Sequence, residues 1–132
     1  MLRTILAIIT GIIAGMVVIA LVETLGHMVF PPPEGVNLKD PEALKSIMHT
    51  IPLGAKLSVL IAWGLGVFAG ASLARRFSEG ASFASWVVGA VLLAFAGVTM
   101  VQIPHPIWMV IGAFVVTLAG IMGANAAVKP RV

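Results

Sequence analysis

At 132 residues, 60% hydrophobic and 10% charged, with a mean hydropathy of +1.11, the chain is too poor in polar groups to cover a soluble globule, in which about a quarter of residues are charged. Cysteine is absent, which excludes disulfides and thiolate metal sites. The formal charge of +3 comes from eight scattered basic residues that form no patch, so membrane orientation explains it better than nucleic-acid binding.

The first element is the uncharged run 4–22, between Arg3 and Glu23. A signal peptide with Arg3 as its charged head is the competing reading. The apolar run exceeds the usual ~7–15 residues and shows no clear cleavage site, so a retained span is expected. Glu23 and His27 follow, four apart and therefore on one helix face, before Pro31, Pro32 and Pro33 end the helix in a stiff polyproline stretch. In the loop 31–52, the segment "DPEALKSIMHTIP" reads as a short helix over 41–51. Asp40 is its N-cap, Pro41 its first residue, and Pro52 its stop. Leu44, Ile47, Met48 and Ile51 share one face, with Glu42, Lys45 and His49 on the other. This predicts an amphipathic helix lying on the outer membrane surface or on the bundle's outer mouth.

Three further uncharged runs follow at 57–74, 81–101 and 107–128. Each of the four runs has 18 to 22 residues, and about 20 are needed to cross hydrocarbon as a helix. Helices are required because lipid leaves backbone groups no other partner. The expectation is an all-α membrane protein, one four-helix transmembrane domain over 1–132, with spans at about 4–29, 53–75, 81–102 and 106–128.

An even number of spans puts both termini on one side. That side carries Arg3, Arg75, Arg76, Lys129 and Arg131 against Glu79. The other carries Lys39, Lys45 and Lys56 against Glu23, Glu34, Asp40 and Glu42. Positive-inside bias places both termini in the cytoplasm. Trp86, Phe77 and Phe83 mark the inner interface, Phe30 and Trp108 the outer. Trp63 lies ~10 Å below Lys56 by helical rise, too deep for an interfacial belt, and its indole N–H requires a partner. Small residues recur every fourth position: Ala7, Gly11 and Gly15; Ala62, Gly66, Gly70 and Ala74; then Gly112, Gly120 and Ala124, interrupted by Val116. Such lanes allow close helix packing in lipid, either within the bundle or against another subunit.

Glu23, His27, His49 and His105 all fall on the outer side, His105 within the "QIPHP" turn. Three imidazoles and a carboxylate suit zinc or another divalent ion, and Met28, Met48, Met100 and Met109 suit Cu(I). The spacing matches no metal motif, however, and His49 falls on the polar helix face. A carboxylate in the first of four spans is also a feature of small proton-coupled drug exporters, but Glu23 lies ~30 Å beyond Arg3, at the far interface and not at the midplane. The third candidate is a pocket of Glu23, His27 and Trp63 beneath the loop helix, for a lipid headgroup or amphiphile. Against it stands simple pairing of Glu23 with His27 or Lys56 at the headgroups. The chain has no G-x-S-x-G elbow and no glycine-rich phosphate loop with its lysine, so no enzyme and no cofactor are expected.

The stretches "ETLGHMVFPPPEG" and "PHPIW", with the Asp40–Pro41 helix and the "IP" after it, resemble a group of uncharacterised small bacterial four-span inner-membrane proteins. The resemblance implies four spans and a bacterial inner membrane, and implies no activity. The expected role is a non-enzymatic structural or accessory component that packs with itself, as a homo-oligomer, or within a larger membrane complex. The alternative is a binding or transport protein with an outer polar site for a metal ion, lipid headgroup or amphiphile.

Overall fold

The computed structural model describes residues 1–31, 34–35, 37, 39–79, 81, 83–103 and 105–129. Five helices follow in chain order: α1 (Leu2–Val29), α2 (Pro41–Ile47), α3 (Leu53–Phe77), α4 (Ala84–Gln102) and α5 (Ile107–Ala127). Four of them, all but α2, are long and apolar enough to cross a membrane. No strand occurs among the described residues.

Helix ends follow local chemistry. Pro52 and Pro106 stand at the N-caps of α3 and α5, where a missing N–H costs nothing. The α3 helix ends at Ser78, whose hydroxyl donates to the carbonyls of Arg75 and Ala81. Ala81 is thereby taken into the connecting turn, and α4 begins three residues later than the sequence pattern predicts. The loop helix is also shorter than the expected 41–51. Asp40 caps it by accepting from the Glu42 N–H at 3.1 Å, but after Ile47 the chain tightens into a 3₁₀ turn, Met48–Thr50. Pro52 disfavours α geometry in the residue before it, and Ile51 is extended. The polyproline expectation falls largely on Pro32 and Pro33, outside the described residues.

The helix α3 is central, packed against α1, α5 and α4. The small-residue lanes of α1 and α3 meet each other. A Cβ built on Gly11 would lie 2.5 Å from the Gly70 carbonyl oxygen, and one on Gly66 would lie 2.8 Å from that of Gly15. The two backbones touch, which only glycine allows. Gly120 of α5 makes a similar approach to the Gly64 carbonyl and the Phe68 N–H of α3. The lanes are therefore occupied within the bundle. One cluster of Val67, Ala74, Ala84, Val88, Leu92 and Ile121 fills the half near the termini. A second, of Leu60, Trp63, Ala96, Met109 and Ala113, lies toward α2.

Both described ends of the chain and the α3–α4 connection lie together. The Met1 ammonium pairs with Glu79 at 3.0 Å, Arg3 Nε donates to the Phe77 carbonyl, and Arg75 Nε donates to that of Val128. Basic side chains thus serve carbonyls that the helix C-termini leave open. The α2 end lies opposite. Arg131 lies outside the described residues. Leu25, Ile61, Phe95, Ile111, Phe114 and Met122 are among many large apolar side chains left exposed around the bundle.

Candidate functional site at the α2 end

The helix α1 carries Glu23 six residues short of Val29, about 9 Å below its end. Packing of α1 on α3 fixes where that carboxylate points. Gly15 lies on Gly66 and Gly26 on Ser58, so Glu23, between those contacts, falls opposite Leu60, about one helical turn above Trp63. Trp63 is 93% enclosed and lies beside the Glu23 carboxylate, with the His27 imidazole nearby. The deep indole and the carboxylate are complementary neighbours, a donor beside an acceptor.

His105 joins them from the α4–α5 turn. Its ring centroid lies 6.3 Å from that of Trp63, at an interplanar angle of 51°. Its Nδ1 stands 2.6 Å from the Ile103 carbonyl oxygen. A carbonyl only accepts, so Nδ1 carries the hydrogen in that bond, and in the neutral ring Nε2 is left as an acceptor.

These side chains line a cavity of two connected lobes. The deeper lobe, about 400 Å³, is lined by Glu23, His27, Trp63 and His105, and runs down past Ile19, Leu92 and Ala96 to Val67 and Thr117. From Val59 to Val67 it follows α3 for about 12 Å. The shallower lobe, about 370 Å³, lies beneath α2 and adds Phe30, Ile51, Lys56, Ser58 and Met109. Glu23, His27, Leu44, Met48, Val59 and His105 belong to both. Leu44, Ile47 and Met48 of the loop segment are half-buried, while Lys45, Ser46 and His49 are exposed. The apolar face of α2 is thus turned toward the cavity.

The deeper lobe is also open sideways. Near the termini α1 and α4 are in contact, Gly11 with Val88 and Gly15 with Leu92. Toward α2 the same helices line the lobe instead, and its walls Met16 and Phe95 are 47% and 50% exposed. A slot between α1 and α4 therefore connects the lobe to the surroundings of the bundle.

The pocket set Glu23, His27 and Trp63 is brought together. The metal set is not: among the described residues no three His, Cys, Asp or Glu side chains are placed to hold a metal ion. His49 sits exposed on the far side of α2's turn and lines neither lobe. Met28 is 73% exposed, which removes it from a thioether set. Sequence reasoning placed His105 in an interfacial turn, missing its inward position, and missed Thr99, Phe95 and Ala96 altogether. Only the register of α4 against α1 brings these to the site.

No protein family, curated protein or solved structure matches this chain.

Proposed function

We propose that the chain is a small integral membrane protein, crossing a bacterial inner membrane four times with both termini cytoplasmic, and that it binds an amphiphile at its outer side. One observation carries the reading: the polar cluster of Glu23, His27, Trp63 and His105 is continuous with an apolar shaft. Polar groups at the outer end of an apolar shaft match a molecule with a polar head and an oily chain. The volume suits a small lipid-like ligand, since ligand cavities span roughly 300–1,000 Å³. The slot between α1 and α4 supplies an entry for a molecule already dissolved in the bilayer. The location of Glu23 near one end of its helix supports a headgroup-level site over an ion path through the midplane. A lane left over for another subunit is the competing use of the small residues, and the glycine lanes of α1 and α3 are engaged with each other.

The test is photolabelling in native membranes with a lipid carrying a diazirine in its acyl chain. Peptides around Trp63 are expected to be labelled. Ala96→Phe fills the lobe and is expected to remove that labelling, while lipid-exposed Phe114 stays labelled as before. Unchanged labelling at Trp63 in the filled variant overturns the reading.

A further inference from the structure

The hydrogen-bonding inventory of the deeper lobe is one-sided. Thr99 donates to the Phe95 carbonyl at 3.2 Å, and Thr117 to that of Ala113 at 2.7 Å. The His105 Nδ1 hydrogen is directed to Ile103, and the Trp63 indole has the Glu23 carboxylate as its neighbour. Below His27, the donor at the mouth of the lobe, each of these side-chain hydrogens is turned to an acceptor of the protein. What remains toward the lobe is a set of acceptors: the Glu23 carboxylate, His105 Nε2, and the lone pairs of two threonine hydroxyls. The exposed His27 stands at the mouth, and Lys56 lines only the shallower lobe.

An acceptor covered by a ligand that brings no donor loses its hydration with nothing in return. A ligand that completes this site must therefore bring hydrogens. It must also bring positive charge, because the deeper lobe holds a carboxylate and no lysine or arginine. Trp63 adds an aromatic surface beside the carboxylate, which favours a cation. Building on the amphiphile reading, we infer that the preferred occupant of the deeper lobe is a single-chain amphiphile with a primary ammonium head. Its nitrogen sits among Glu23, Thr99 and His105, and its chain points down the shaft toward Val67 and Leu92. A quaternary ammonium carries the same charge but no N–H, so it leaves the acceptors unmatched. A phosphate head meets the carboxylate of Glu23 and is rejected from the deeper lobe.

The experiment uses the full chain in zwitterionic nanodiscs with Trp86→Phe and Trp108→Phe. Both residues are more than 40% exposed, and their removal leaves Trp63 as the sole fluorophore. Trp63 emission is titrated with dodecylamine, dodecyltrimethylammonium, dodecyl phosphate and dodecyl maltoside, with concentrations corrected for partition into empty nanodiscs. Dodecylamine is expected to bind at least tenfold more tightly than the other three. Glu23→Gln is expected to abolish that preference while retaining weak binding of all four. Thr99→Val, which keeps the side-chain volume and removes the hydroxyl, is expected to narrow it severalfold and serves should Glu23→Gln not fold. Equal binding of all heads overturns the ammonium assignment and leaves the amphiphile reading standing. Tighter binding of dodecyl phosphate or of the quaternary head also overturns the assignment. No binding by any of the four sinks both.

Discussion

Trp63 and Glu23 show how two residues that are each unfavourable in an apolar span stabilise one another. The indole is enclosed by the bundle, and the carboxylate is half-buried beside it. Removing one partner strands the other. Trp63→Phe is expected to destabilise the protein by about 1–3 kcal/mol through the acceptor left behind, read as a lower unfolding temperature in detergent. Adding Glu23→Leu to Trp63→Phe removes that stranded group. The double variant is expected to recover part of the loss, and a calorimetric or fluorescence melt of all four proteins measures the coupling. Additive losses would show that the two side chains do not act as a pair. The sequence raised the question of a partner for each residue, but the answer lay on a different helix.

At the scale of elements, glycine spacing decides which helices touch. Gly66 and Gly70 of α3 lie against the α1 backbone, whereas a Cβ on Gly97 of α4 would meet nothing within 4 Å. The same substitution should therefore act in opposite directions. Gly66→Ala pushes two backbones apart and is expected to cost about 1–3 kcal/mol, as overpacking does. Gly97→Ala is expected to be neutral or to stabilise by up to about 1 kcal/mol, from helix propensity alone. Unfolding midpoints of the two variants, side by side, check the assignment, and a destabilising Gly97→Ala would contradict it. The loop helix is a second case. Its capping by Asp40 and Pro41 is a local matter, written within a few residues, and so it was legible. The 3₁₀ turn that shortens it arises from Pro52, whose effect on the preceding residues the helical periodicity masks.

For the whole molecule, both described ends of the chain and the α3–α4 connection stand opposite α2. The natural chain has no cysteine, so single introduced thiols report sidedness without background. Ser46→Cys, exposed on α2, is expected to react with a membrane-impermeant maleimide in intact cells. Lys129→Cys is expected to react only after the cells are broken. The reverse pattern would invert the orientation derived from Arg3, Arg75, Arg76 and Lys129, and would place the cavity on the cytoplasmic side.

Composition and hydrophobic run length by themselves determined four spanning-length helices, because each run must satisfy its own backbone in lipid and needs no neighbour to do so. Short-range stereochemistry likewise determined where prolines begin or end them. The cavity was decided only by tertiary structure. Close glycine contact draws α1 onto α3 and sets their register, α4 parts from α1 above Leu92, and His105 turns inward from its loop. Those are distances between residues far apart in the chain, and no local pattern encodes them.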